Sequence, residues 1–224
     1  MPIYIDIRPW GSMSTIIAHT FMTLRKRPKR HTAGMLLCAI LSDTLNLQGP
    51  TTTEWDRLMV TILVELAGVD DVQFLATQQF KAKSSELGGM SALSLCRGDQ
   101  KEFSFHTKHF HGTLGFSVVE TTDDEVIMNR KDELLPVLQE EKEQKNLQVL
   151  FLAVVNIVAL RTNLLLCGPV ERSLASVSFP NGKLVPSSTG DEAVMDLGSL
   201  VSRKKEFIPA VTAAIMKGWA MSGV

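Results

Sequence analysis

The stretch LQVLFLAVVNIV, residues 147–158, lies within the longest apolar segment of the chain, Leu147 to Leu160. An apolar run without alternation is typical of a strand that is buried on both faces, as in sheets with helices on either side. The segment is shorter than the roughly 20 residues that a membrane-spanning helix needs, and it contains Asn156. The sequence therefore predicts an α/β fold with this strand buried in the sheet.

Strand and helix patterns alternate around this segment. In chain order they predict strands at 101–105, 115–120 and 164–168, helices near 131–145 and 170–177, a strand-like segment at 197–207, and a last helix from Pro209 to Gly218.

The N-terminal part has mostly helical patterns. They predict a short strand at Pro2–Asp6 and helices at 12–24, 33–41, 54–67 and 71–82, with Thr53 as an N-cap, Asp56 three residues later and Gly68 at a helix end. The polar, glycine-rich segment KSSELGG, residues 83–89, is typical of a domain linker. We therefore divide the chain into an N-terminal α/β domain (1–82), a linker (83–89) and a C-terminal α/β domain (90–224).

The composition excludes several classes of protein. Of the 224 residues, 45% are hydrophobic and 21% are charged, so the chain can bury a core and is not disordered by composition. The formal net charge of −1 provides no overall field for nucleic acid or an anionic membrane. Three widely spaced cysteines in apolar runs indicate buried thiols in a reducing compartment. The N-terminus has no signal-peptide pattern, so we expect a cytoplasmic location.

Asp43 follows the apolar run AGMLLCAIL, at the end of a predicted helix. A carboxylate is disfavoured there by a few tenths to ~1 kcal/mol because the helix dipole is negative at its C-terminus. A bound cation would remove the conflict. Equally, Asp43 fits the start of the turn before Gly49-Pro50.

Two basic segments are candidates for anion binding. Lys101, in DQKEF, lies where a turn leads into a strand, and Arg203-Lys204-Lys205 lie just before the last helix. Adjacent cations near the positive end of a helix dipole would be stabilised by an oxyanion, which Arg can hold with two hydrogen bonds. Solvated surface positions explain both segments as well.

Taken in order, four segments resemble the family II inorganic pyrophosphatases of the DHH phosphoesterase superfamily. They are GSMSTI (11–16), AGMLLCAILSDTL followed by GPTTTE (33–54), DQKEF (99–103) and MDLGSLVSRKKEFIPAVT (195–212). The resemblance implies an N-terminal DHH-type α/β domain, which is incomplete here, and a smaller C-terminal α/β domain with a mixed sheet.

The resemblance also implies site residues and a reaction. It places Asp43 on a metal-ligand aspartate, and Lys101, Arg203 and Lys204 on the cations that hold pyrophosphate, with no contact assigned to Lys205. In the family, two divalent ions, typically manganese, bridge a water that attacks phosphorus, and the cations neutralise the substrate and the leaving phosphate.

One part of the family pattern is absent. An HxxPDxD segment, a further Asp and the DHH triplet should precede GSMSTI, and the 224 residues contain none of them. One carboxylate cannot hold two ions. We therefore expect a truncated form, an incomplete gene model or a degenerate relative, with negligible pyrophosphatase activity alone.

Two other functions stay open. The chain could be an exopolyphosphatase of the same superfamily, or a non-catalytic protein that binds phosphate or a partner. The family implies homodimerisation through the N-terminal domain. We expect no nucleic-acid partner for the basic run RKRPKRH (25–31), because the total charge is near neutral, and no membrane partner.

FHTKHFH, residues 105–111, contains three histidines, His106, His109 and His111. No cysteine or carboxylate stands at matching ligand spacing, and the family has no metal there. An exposed loop is the favoured interpretation.

Overall fold

The computed structural model describes residues 3–186 and 193–221 and divides the chain into two compact units, Met1–Ala82 and Lys83–Val224. The described part of the first unit contains helices α1 (Met13–Thr23), α2 (Arg30–Asp43) and α3 (Glu54–Ala67) and most of α4 (Val72–Gly89), which continues into the second unit.

Local sequence determines where these helices begin and end. Ser12 caps α1 by accepting the N–H of Ser14 at 3.1 Å. Thr53 and Asp56 form a reciprocal capping box at the start of α3, as predicted. Gly68 ends α3 with φ +63°, in the left-handed region that glycine adopts without strain.

Two N-terminal expectations differ from the structure. Residues 3–6 form no strand, because a strand needs a hydrogen-bonded neighbour and no described residue pairs with this segment; Pro2 lies outside the described residues. The proposed linker, 83–89, is the last part of α4. Its Lys, Ser, Glu and Leu residues are compatible with a helix, and the two glycines come only at its end.

The second unit consists of one sheet with helices on it. Its elements are α5 (Ala92–Arg97), β1 (Gln100–His106), β2 (His111–Thr121), α6 (Glu125–Met128), α7 (Lys131–Gln144), β3 (Val149–Asn156), β4 (Arg161–Leu166), α8 (Pro169–Ser178), β5 (Lys183–Leu184), β6 (Val194–Asp196), a π-helical turn (Arg203–Phe207) and α9 (Ile208–Met216). The strand order is β1-β2-β3-β4-β6-β5. β2 and β3 are parallel and all other pairs are antiparallel, so the α/β class with a mixed sheet is confirmed.

β3 is buried along its whole length, as the sequence predicted. Leu150 and Leu152 belong to a core cluster that includes Leu134 and Leu138 of α7. Phe151 contacts Phe116 of β2, with ring centroids 5.6 Å apart. Leu150 and Leu152 therefore pack against α7 on one face of the sheet, and Phe151 lies on the opposite face with Phe116.

The strand-like segment predicted at 197–207 is wrong. The strand β6 ends at Asp196, and Arg203–Phe207 form the π-helical turn. A capped turn satisfies the backbone hydrogen bonds of the basic residues locally, and this outweighs the strand-like character of the segment.

Candidate functional site

The basic motif lies on the π-helical turn, which is capped at its start. The N–H of Phe207 donates to the carbonyl of Ser202 at 3.0 Å, five residues earlier. The Glu206 carboxylate accepts the N–H groups of Val201 and Ser202, both at 2.8 Å. Turns of this kind are rare and occur frequently at functional sites. The backbone that carries the cations is thus held by its own hydrogen bonds.

Phe207 attaches the turn to the sheet. Its ring is fully buried and stacks on Phe116, with centroids 5.4 Å apart and planes at 16°. The ring of Phe179 contacts Phe207 edge-on, at 6.4 Å. Stacked and edge-on rings are stabilised beyond their burial, so the turn keeps a fixed position over β2.

Arg203 extends from this turn to the start of β1. Its Nη1 donates to the carbonyl of Asp99 at 2.6 Å and to that of Phe116 at 3.3 Å. Its Nη2 contacts both carboxylate oxygens of Asp99, at 2.8 and 3.0 Å. The Arg203 side chain is only 13% exposed, whereas that of Asp99 is 54% exposed. The guanidinium is therefore held in place by two backbone carbonyls and one accessible carboxylate.

Lys101 lies on the same part of the sheet. It is directly opposite Phe116 in the β1–β2 register, and Phe116 also supplies a carbonyl to Arg203. Lys101 and Lys204 are both exposed, and neither ammonium group has a hydrogen bond or ion pair with another described residue. The structure thus brings Lys101 and Arg203 together, and Lys204 follows Arg203 on the same turn.

Asp43 belongs to the other unit. It is the last residue of α2 and is exposed, and its Oδ2 accepts a hydrogen bond from Ser12 Oγ at 2.6 Å. This hydrogen bond reduces the conflict with the helix dipole that had suggested a cation.

The main buried carboxylate near Asp43 is Asp56. It accepts from Gly11 N (3.0 Å), Ser12 N (3.3 Å), Thr15 Oγ1 (2.5 Å), and Thr53 N and Oγ1 (2.8 and 2.6 Å). Burial by itself would raise the pKa of Asp56, but the hydrogen bonds from Thr15, Thr53 and the Gly11 backbone together lower it below the ordinary value. Asp56 is thus a structural anion that joins the starts of α1 and α3.

A two-metal centre does not fit the residues present. Residues 3–186 and 193–221 contain no group of three or more His, Cys, Asp or Glu side chains arranged to hold a metal ion. Asp43 contributes one carboxylate, and its Oδ2 is bonded to Ser12. We therefore derive no metal-dependent step for this chain.

Comparison with known proteins places this geometry in a family. The model of the DHHA2 domain matches residues 77–214, which include all elements from β1 to the π-helical turn and most of α9. The chain belongs to the DHHA2 domain family.

This DHHA2 chain is similar to family II inorganic pyrophosphatases, as the four motifs indicated. A protein of Deinococcus radiodurans named "Probable manganese-dependent inorganic pyrophosphatase" is 33% identical over 94% of the chain, and the chain spans 64% of that protein. The "Cobalt-dependent inorganic pyrophosphatase" of Clostridium perfringens is 34% identical over 96% of the chain, which spans 36% of it.

Comparison with solved structures gives the same family resemblance. A Methanococcus jannaschii protein described as a "putative family II inorganic pyrophosphatase" matches 96% of the chain with a TM-score of 0.81 and 25% sequence identity, and the chain covers 67% of it. The predicted resemblance is thus confirmed.

Sequence reasoning missed Asp99 as a partner of Arg203. The two residues are 104 positions apart and only the fold brings them together. Asp99 was part of the motif DQKEF, and its charge next to Lys101, which was predicted to bind phosphate, was the available signal. None of the helices in the described ranges combines the length and hydrophobicity of a bilayer span.

Proposed function

We propose that this DHHA2 chain binds inorganic pyrophosphate through Arg203, Lys101 and Lys204, as the substrate-binding part of an inorganic pyrophosphatase. The observation that carries the proposal is the position of Arg203, held by backbone carbonyls next to a lysine whose ammonium has no partner among the described residues. The names of the relatives support pyrophosphate as the substrate.

Each cation has a separate task. Arg203 already forms a two-oxygen contact with the Asp99 carboxylate, and a phosphoryl group presents the same pair of acceptors. Lys101 and Lys204 act as point charges that offset the remaining negative charge of the anion. Because phosphoryl transfer depends mostly on positioning and charge stabilisation, these residues would orient the substrate and stabilise the departing phosphate.

Hydrolysis requires more than these cations. The relatives are named for manganese or cobalt dependence, and such ions supply a nucleophile by acidifying bound water. The described residues do not form such a centre. The proposal is therefore that the 224-residue chain binds pyrophosphate but has negligible turnover by itself.

Calorimetric titration of the 224-residue chain with pyrophosphate tests the binding site. We expect Arg203→Ala to weaken binding about tenfold to a hundredfold, because charge-assisted hydrogen bonds contribute about 1.5–3 kcal/mol. Lys101→Ala and Lys204→Ala should each cost about fivefold, from ~1 kcal/mol for a contact between unit charges in water.

Lys205→Ala is the matched control, because Lys205 is exposed on the same turn and has no assigned contact. Arg203→Lys keeps the charge and loses the fork, so it should bind between wild type and Arg203→Ala. Equal affinity of wild type and both Arg203 variants, with folding verified by circular dichroism, would refute the site. A preference for long-chain polyphosphate in the same titration would favour an exopolyphosphatase.

A further inference from the structure

The hairpin of β1 and β2 ends in a pair of facing histidines. His106 is the last residue of β1, His111 is the first of β2, and the two are directly opposite in the register. Residues opposite each other in antiparallel strands have side chains on the same face of the sheet. Accordingly, the two rings have centroids 4.5 Å apart, and their Nδ1 atoms are 3.4 Å apart.

The loop between the histidines is ordered by its own contacts. The N–H of Thr107 donates to the carbonyl of Phe110 at 3.0 Å, and Thr107 Oγ1 accepts the N–H of Phe110 at 2.9 Å. The buried ring of Phe110 contacts Trp219, with centroids 5.4 Å apart. The spacing of His106 and His111 is therefore fixed by strand pairing and by an anchored loop.

The separation of the two nitrogens matches a tetrahedral metal site. Zinc–imidazole bonds are about 2.0–2.1 Å long, so two nitrogens at adjacent corners of a tetrahedron lie about 3.3–3.4 Å apart. The observed distance between the Nδ1 atoms is 3.4 Å. At this distance one ring can donate its Nδ1–H to the other in the metal-free chain, and a metal ion would replace that proton.

We propose that His106 and His111 form a two-histidine binding site for a divalent transition-metal ion of the zinc type. Both side chains are exposed, so water or an external ligand can occupy the remaining coordination positions.

The donor set decides which ions can bind. Imidazole nitrogen suits zinc, copper and nickel, whereas magnesium, calcium and manganese prefer carboxylate and carbonyl oxygen. No described carboxylate or thiol joins the pair in a group of three or more ligands. The charged residue of the loop, Lys108, is a cation and cannot act as a ligand while protonated. The site thus takes a different class of ion from the manganese named for the relatives, and it is independent of the pyrophosphate site.

Zinc titration of the 224-residue chain, monitored with a chromophoric chelator as competitor, tests the site. Wild type should bind one zinc ion at the hairpin. His106→Ala and His111→Ala should each lower the zinc affinity by at least about tenfold. Removing a residue that only hydrogen-bonds to a metal ligand already costs about tenfold or more, and removing a ligand itself should cost no less. The exposed positions of both residues make folding insensitive to these changes, which circular dichroism verifies.

Two variants separate this site from other metal-binding groups. His109→Ala removes an exposed histidine of the same loop and should leave zinc affinity unchanged, as should His31→Ala, which removes an exposed histidine of the other unit. Zinc affinity equal to wild type in both His106→Ala and His111→Ala would overturn the proposal. So would an equal loss in His109→Ala, since the site would then not be the pair.

Discussion

Asp99 should compete with substrate for Arg203, so replacing it with Asn should strengthen pyrophosphate binding. The Asp99 carboxylate occupies Nη2 of Arg203 at 2.8 and 3.0 Å and is exposed enough to be displaced. Asn is nearly isosteric and uncharged. Nη1 keeps its bonds to the carbonyls of residues 99 and 116, at 2.6 and 3.3 Å, so the guanidinium should stay in place.

The expected gain follows from Coulomb's law. Two unit charges roughly 6.5 Å apart in water interact by about 0.6 kcal/mol. A phosphoryl group carries nearly two negative charges near neutral pH, so removing the Asp99 charge favours the bound anion by about 1.2 kcal/mol, or about sevenfold. At physiological salt the Debye length is about 8 Å, and screening should lower the gain to about threefold.

Calorimetry of Asp99→Asn at low and physiological salt measures this gain. Asp132→Asn is the control for net charge, because Asp132 is exposed at the start of α7 in the same unit. In the double variant with Arg203→Ala, the part of the gain that comes from competition for Nη2 should disappear, and the part that comes from direct repulsion between Asp99 and the anion should remain. If Asp99→Asn instead weakens binding as much as Arg203→Ala does, the carboxylate orients Arg203 for the substrate and the competition argument is wrong.

Three further predictions concern stability and reactivity. Asp56→Ala should destabilise the first unit by about 3 kcal/mol or more, because buried donors lose their acceptor. The folded-state pKa of Asp56 is lowered, so the stability that its carboxylate contributes is present above the unfolded pKa of about 3.9 and is lost as pH falls through the folded pKa. Urea unfolding measured from pH 7 to pH 2 should therefore show a smaller pH dependence in Asp56→Ala than in wild type. Phe207→Ala should lower the free energy of unfolding by about 3–5 kcal/mol and should also weaken pyrophosphate binding. Unchanged binding in the folded variant would show that the Phe207 ring does not set the position of the cations. Burial raises the pKa values of Cys96 and Cys167 to about 12. Iodoacetamide at pH 8 should therefore modify the partly exposed Cys38 first. Equal modification of all three cysteines in the native chain, measured by mass spectrometry, would contradict the burial of Cys96 and Cys167.

The sequence predicted those parts of the fold that depend on local signals. β3 was predicted because the apolar run at 149–155 is typical of a strand with two covered faces. The limits of α3 followed from the capping box at Thr53 and from Gly68, whose effects act within one turn of the helix.

Features that depend on distant residues were not predictable in this way. Residues 3–6 have a strand pattern but form no strand, since pairing requires a neighbour that no periodicity reveals. The π-helical turn at Arg203–Phe207 was missed for a different reason, because it depends on local bonds from the side chains of Ser202 and Glu206 to the backbone around it. The strand-like character of residues 197–207 was the weaker signal.

The candidate site shows the same division. Lys101, Arg203 and Lys204 were selected through a family resemblance. The structure places Lys101 on β1, opposite Phe116, and the side chain of Arg203, from the π-helical turn, against the carbonyl of Phe116. The facing of His106 and His111 required the hairpin register, because sequence spacing alone favoured an exposed loop.

The central claim is that the chain binds pyrophosphate without hydrolysing it, and the most direct test is phosphate release from pyrophosphate by the 224-residue chain. The assay is run with and without manganese, at a substrate concentration that calorimetry has shown to saturate the chain. We predict no release above the buffer rate in either condition, with binding that depends on Arg203. Manganese-dependent multiple turnover at an ordinary enzymatic rate would contradict the account, because it would require a metal centre that the described residues do not form.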